Sequence, residues 1–263
     1  MLHNIYTPLS GGLAQEKALE IIANNLANLN TVGFKEEEVT FKLLEPEPEK
    51  NYKELLPTDN FDPDTREDRL FNLRGNEVAY VGVSGVSRNE TQGSPIVTHN
   101  PLDLLLQGEG YLTLNTEEGE RYTRNGSLSL NPDGTLVDRQ GQGIMGHKGL
   151  IHLSPDPVDI NPLGEIYQNG RFVDKLLITD FEDKGQLEKI GLNEYFYSGP
   201  DEGRMIVKSP HMEQGSLEAS NVNAIKNLTN MIVAHRSYEA YQKAIKNFDG
   251  MMEKSFNTLG ELR

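Results

Sequence analysis

Apolar residues recur at helical spacing at the two ends of this chain. Tyr238, Tyr241, Ile245, Phe248, Met252, Phe256 and Leu259 follow one another at steps of three or four, and Val222, Ile225, Leu228 and Ile232 extend the stripe upstream. Near the start, Ala18, Leu19, Ile22, Ala23, Leu26 and Leu29 form a matching set. The spacing predicts a helix over residues 12–30, with Gly33 just past its end, and one long helix over 221–260. No proline interrupts the second, Gly250 is its weak point, and Ser220 or Asn221 is placed to cap it. At 1.5 Å per residue it would run roughly 60 Å. Such a helix is marginal alone in water and is stabilised by burying its stripe on another helix, the N-terminal one or a neighbour's.

Between the ends the pattern changes to short apolar runs divided by glycines. Leu112-Thr-Leu114, Ile151-His-Leu153 and Lys175-Leu-Leu-Ile178 read as strands, and Asn131-Pro-Asp-Gly134 reads as a hairpin turn between Leu128–Leu130 and Thr135–Val137. The expected architecture is α+β. Long N- and C-terminal helices pack as a coiled-coil core, and a central antiparallel β-domain lies between them. The expected segments are 1–42 (N-terminal helix), 43–76 (acidic, Pro-rich and extended), 77–215 (β-domain) and 216–263 (C-terminal helix). Within the second, prolines 46, 48, 57 and 63 mix with nine acidic residues over 45–69, which disfavours regular structure.

Charge sharpens this division. The net charge is −15, which argues against nucleic acid as a partner. Residues 1–42 carry a net −2, residues 221–263 a net +2, and the middle carries the entire −15. Nearly neutral ends can be crowded together without much repulsion, while an acidic middle keeps a surface soluble. The chain has no cysteine, so disulfides and thiolate metal sites are excluded. The start has neither the basic region nor the apolar run of a cleavable secretory signal, and no apolar run approaches a membrane span.

Candidate chemistry is sparse. Gly141, Gly143 and Gly146 fit a G-x-G-x-x-G dinucleotide pattern, but Pro155 and Pro157 follow where a helix would have to receive the pyrophosphate. A nucleotide-binding enzyme is therefore the weaker reading, and a glycine-rich β turn the better one. The six histidines show no i, i+4 ligand pairing, His235 reads as a packing or interface residue, and Asp180, Glu182 and Asp183 read as a surface turn. No cofactor or metal is expected, and the chain is not expected to be an enzyme.

Three blocks carry a resemblance. Residues 23–35, Ala-Asn-Asn-Leu-Ala-Asn-Leu-Asn-Thr-Val-Gly-Phe-Lys, closely resemble the N-terminal signature of bacterial flagellar rod and hook proteins. Pro101–Tyr111 and Arg121–Leu128 look like that family's central motifs. Gln214–Asn223 and Met231–Ala240 look like its C-terminal signature. The residues that carry the signature are Asn25, Asn28, Asn30, Thr31, Gly33, Phe34 and Lys35, with Ser220, Asn221 and Val222. Within the family, His3–Thr7 and the modest length look most like proximal-rod subunits, with distal-rod or hook subunits as the alternative. The resemblance implies a homo-oligomer that also contacts other rod proteins and possibly the hook. It implies export by the flagellar type III apparatus, assembly as a shaft across the periplasm around the export channel, and no membrane insertion. It also implies that the terminal helices form the inner core and that the apolar positions above form the assembly interface.

Overall fold

The computed structural model describes residues 3–44, 80–191 and 193–260, with side chains described over 7–43, 81–191 and 193–254. The acidic, Pro-rich segment 45–69 and the side chains of Phe256 and Leu259 lie outside the described residues. The chain divides into two units. One comprises Met1–Asn24, Glu37–Ser87 and Ile225–Arg263; the other comprises Asn25–Glu36 and Arg88–Ala224.

The first unit is built on two helices, α1 (His3–Ala27) and α2 (Ala224–Gly260). The α1 helix starts earlier than the sequence pattern predicts and contains Pro8. Lacking an N–H, that proline removes one i→i−4 backbone bond from the early part of the helix. A two-stranded ribbon, Glu37–Leu44 with Tyr80–Arg88, completes the unit. Ser10 Oγ accepts the Val81 N–H at 3.2 Å, and Lys226 Nζ meets Glu38 Oε1 at 2.8 Å.

Each helix has one sheltered seam. On α1 it runs through Gly11, Ala14, Ala18 and Ile21, all buried. On α2 the sheltered positions are Asn227, Met231, Ala234, Tyr238, Tyr241, Ile245, Phe248 and Met252. Both sets alternate steps of three and four, so each lies along one face of its helix. The helices touch where Gly11 faces Tyr241: a Cβ on that glycine would lie 2.6 Å from the tyrosine ring.

The upstream half of the predicted α2 stripe is corrected by these positions. Ile225, Leu228 and Ile232 are 79%, 51% and 55% exposed, and their place on the seam is taken by Asn227, Met231 and Ala234. Six residues separate Ile232 from Tyr238, about 240° of rotation at roughly 100° per residue, so the two runs do not share a face. On α1, Leu19, Ile22 and Leu26 flank the seam half-buried, Leu29 is half-buried beyond the helix end, and Ala23 is exposed.

The second unit is antiparallel β throughout. Its largest sheet has ten strands, and the strand Tyr111–Thr116 is central, paired with Gly119–Thr123, Gly143–Gly146 and Ile178–Phe181. The period of two divides that strand between two cores. Leu112 and Leu114 enter an aliphatic cluster with Leu136, Ile144, Ile166 and Ile178. Tyr111 joins the aromatic cluster of Tyr122, Phe181, Tyr195 and Tyr197, where the Tyr122 and Phe181 rings meet edge-on at 4.7 Å. The predicted hairpin is present: Ser129 pairs with Val137 and Leu130 with Leu136. Asn131 Oδ1 accepts the N–H groups of Asp133 and Thr135 around Gly134, whose φ is +78°. This local asparagine bond is what such a turn requires.

Candidate functional site: the junction of the two signature segments

The residues that follow α1 do not continue as helix. Asn28 holds the turn, accepting the Thr31 N–H at 3.1 Å through its carbonyl and the Thr31 hydroxyl at 3.0 Å through its side chain. Asn30 is exposed on this turn, whereas Asn25 is buried. The chain then enters the β unit. Gly33 donates its N–H to the Glu218 carbonyl at 2.8 Å, and Asn193 Nδ2 donates to the Val32 carbonyl at 2.8 Å. Gly33 has φ +69°, and a Cβ there would lie 2.6 Å from the Arg124 carbonyl carbon and oxygen. Both the backbone conformation and the close approach require glycine.

Phe34 and Lys35 follow, each 1% exposed. The Lys189 ammonium lies 4.3 Å from the Phe34 ring centre. Lys35 Nζ donates to Glu218 Oε1 at 2.6 Å and to the Thr91 carbonyl at 2.9 Å. Glu218 is equally buried; its Oε1 also accepts the Gly93 N–H at 3.0 Å, and Arg124 Nη1 stands 3.8 Å from its Oε2. Arg124 in turn donates to the carbonyls of Leu106 and Gly108. Burial holds the Lys35 ammonium below the usual lysine range, and the Glu218 carboxylate opposes that effect. A buried ion pair of this kind survives by satisfying its remaining donors and acceptors with hydrogen bonds.

Asn221 closes the junction. Its Oδ1 accepts the Glu36 N–H at 2.7 Å, and its Nδ2 donates to the carbonyls of Asn89 and Thr91 at 2.8 and 2.9 Å. The Asn221 side chain therefore binds the N-terminal segment and does not cap α2. Ser220 Oγ accepts the Val222 N–H at 3.3 Å, a local turn ahead of the helix. The structure thus brings Gly33, Phe34, Lys35 and Asn221 together, and adds Asn193, which sequence reasoning missed, with Arg124 and Glu218, which lie inside the resembling blocks but were given no role of their own. Glu218 ends the strand Ser216–Glu218, every residue of which is buried.

The other candidates separate cleanly. Gly143–Gly146 is a strand, paired with Gly149–Leu150 and followed by no helix, so the dinucleotide geometry is missing. Asp183 caps the short 3-10 turn Lys184–Gln186 and Asp180 lies 3.7 Å from Lys184, as a surface turn would. His235 is exposed beside Glu239 at 3.7 Å. Among the described residues, no group of three potential ligands could hold a metal ion, and no helix is long and apolar enough to cross a membrane.

The chain matches three family models in order along its length. Residues 5–35 match the flagella basal body rod protein model, residues 105–168 the flagellar hook protein FlgE/F/G D1 domain, and residues 213–258 the flagellar basal body rod FlgEFG protein C-terminal. The first and third models each include one side of the Lys35–Glu218 pair. It is 30% identical to the flagellar basal-body rod protein FlgF of Caulobacter vibrioides over 98% of both chains. It is 31% identical to FlgG of the same organism over 94% of this chain and 95% of the relative. It is 28% identical to FlgG of Bacillus subtilis over 98% and 99%. These likenesses, with one helix preceding and one following the β strands in sequence, define a flagellar axial protein. The chain belongs to the flagellar basal-body rod protein family.

Proposed function

We propose that this protein is a structural subunit of the flagellar rod, most like a proximal-rod component, and that it polymerises through its terminal helices. The observation that carries the proposal is the junction. The α1 helix runs into it at Asn28–Lys35 and α2 leaves it after Asn221, so both helices are rooted in one buried ionic and hydrogen-bonded knot. The segment Gly33–Lys35 is held to the strand Ser216–Glu218 by groups packed out of water. A shaft that transmits torque needs such stiff couplings, because interiors at crystal-like density transmit strain.

The seams supply the second requirement. Gly11, Ala14 and Ala18 on α1 let a partner backbone approach closely, and the tyrosines and Phe248 on α2 provide knobs of matching period. In the proposed shaft these seams pack as a coiled coil at the core, alongside other copies and other rod or hook proteins. Export in an unfolded state by the flagellar type III apparatus delivers the chain across the inner membrane, and the shaft spans the periplasm. The role proposed is mechanical, without catalysis.

Deleting the gene in its source bacterium and imaging isolated basal bodies tests this reading. The expected result is a missing or truncated rod and loss of swimming, both restored by the full chain. Complete rods and normal swimming in the deletion strain would refute it.

A further inference from the structure

The chain contains two Asn–Gly pairs, and the fold treats them in opposite ways. In Asn125–Gly126 the peptide is clamped. Asn125 Oδ1 accepts the Ser127 N–H at 3.1 Å, and the Gly126 carbonyl accepts the Leu104 N–H at 2.9 Å. Gly126 is buried, and a Cβ there would lie 1.7 Å from the Leu104 carbonyl oxygen. Asn169–Gly170 is instead the two-residue loop between the strands Glu165–Gln168 and Arg171–Lys175, where Gln168 pairs with Arg171. Both loop residues have positive φ, +52° and +74°, as a type I′ hairpin requires. Both are exposed, and beyond its chain neighbours no heavy atom lies within 4 Å of a Cβ placed on Gly170. They line an open groove of about 500 Å³ with Pro157, Asp159 and Tyr167. Asn169 Nδ2 donates to Asp156 Oδ2 at 3.1 Å, and Arg171–Lys175 is an edge of its three-stranded sheet.

We propose that Asn169 is a deamidation site, at which water converts the amide that holds this hairpin into a carboxylate. The Gly170 nitrogen, after losing its proton to solvent hydroxide, attacks Asn169 Cγ. A C–N bond forms and closes a succinimide ring, and the side-chain nitrogen leaves as ammonia, taking a proton from water. A second water opens the ring at either carbonyl, giving aspartate, or isoaspartate with the main chain routed through the side chain. Gly170 exposes its nitrogen to this attack because it has no Cβ to screen it. Ring closure also requires the Asn169–Gly170 peptide to turn out of its hairpin geometry. A loop at an exposed sheet edge opens locally at low cost, whereas the clamped Asn125–Gly126 peptide opens only with the core around it. The aspartate product sets a second carboxylate against Asp156, so a hydrogen bond becomes a like-charge contact. The isoaspartate product adds a backbone atom to a loop whose length fixes the strand register. Tyr167 and Phe172, ring centres 5.8 Å apart across these two strands, depend on that register. The step does not reverse, so the converted fraction records how long a folded chain has stood in water. The inference does not depend on the rod reading.

The purified full chain is kept folded in mildly alkaline buffer at growth temperature, sampled over weeks and mapped by mass spectrometry of its tryptic peptides. The peptide carrying Asn169 is expected to gain about one dalton and to divide into aspartate and isoaspartate forms, the second accepting methyl groups from an isoaspartyl methyltransferase. It should convert many-fold faster than the peptide carrying Asn125. In urea the two should convert at similar rates, because neither is then held. Equal rates in the folded chain overturn the proposal, and so does an Asn169 that stays intact over the time in which the urea-treated chain converts. Asn169→Asp reads the structural consequence separately. It should lower the urea midpoint of the full chain, and adding Asp156→Asn should recover most of that loss. A midpoint unmoved by Asn169→Asp would show that the amide does not hold the hairpin.

Discussion

Replacing Lys35 by methionine tests whether the junction is held by its ion pair. The substitution keeps most of the side-chain length and removes the charge, leaving Glu218 buried at 1% exposure. Breaking one side of a buried pair costs about 3–5 kcal/mol. Two local groups set where in that range the loss falls. The Gly93 N–H still serves Glu218 Oε1, and Arg124 Nη1, 3.8 Å from Oε2, can move onto the carboxylate. Against them, the Thr91 carbonyl loses the Lys35 bond, worth about 1 kcal/mol. The expected loss is therefore about 3 kcal/mol, or roughly 6–12 °C in the melting temperature of a unit this size. Urea unfolding of the full chain measures it. The chain has no tryptophan, so tyrosine fluorescence, to which the Tyr111–Tyr122–Tyr195–Tyr197 cluster of the β unit contributes four of ten tyrosines, follows the unfolding. A loss below about 1 kcal/mol, the range of exposed pairs, would show that the pair does not hold the junction. Glu218→Gln adds a pH signature. Without the carboxylate, burial and the Arg124 charge act on Lys35 with only the Glu90 charge opposing them, and its folded pKa falls further below 10.5. Between those two values only the unfolded chain holds the proton, so stability rises with pH. The deficit of Glu218→Gln relative to wild type should shrink as pH climbs toward 10.5.

Three further outcomes are expected. Gly33→Ala should cost about 2–4 kcal/mol in urea unfolding, from its positive φ and its approach to the Arg124 backbone; Gly33→Asn tolerates the φ but not the approach, and should rescue little. Burial raises the Tyr122 phenol from 10.0 to about 12, so its contribution is complete below pH 10 and is lost as pH climbs through that raised value; tyrosinate absorbance should appear together with unfolding. If the part of that absorbance which Tyr122→Phe removes appears instead in a folded protein near pH 10, the phenol is not held in the core. Phe248→Asp, on the α2 seam, should abolish swimming while leaving the urea midpoint of the β unit within experimental error; rods of normal length carrying the variant would remove Phe248 from the interface.

The elements were legible where one period ran without a break. The Tyr238–Met252 run keeps its phase and is sheltered throughout, and Asn131–Gly134 announces its turn through a local asparagine bond. The α2 stripe failed at the six-residue gap between Ile232 and Tyr238, where an apolar composition concealed a change of face. The α1 set was displaced for a related reason: it included Ala18 of the seam, but Gly11 and Ala14 carry little apolar signal, so the rest of it fell on the flanking Leu19, Ile22 and Leu26. The signature residues were found, but their use was not. Nothing in a linear pattern joins Lys35 to Glu218, or shows that the Asn221 amide reaches Asn89 and Thr91 in preference to a helix end. Those partners are set by how the β strands close, which is a property of the assembled sheet.

The Lys35–Glu218 bond spans 183 positions of sequence. A ribosome adding about 5–20 residues each second needs roughly 10–40 s to cover that interval. Throughout that time the lysine has no carboxylate to receive it, and Gly33 and Phe34 have no carbonyl or amide to dock on. Chain synthesis is therefore nearly over before the β unit can complete its native set of contacts. The molecule carries its own delay, a clock written as the distance between two buried charges.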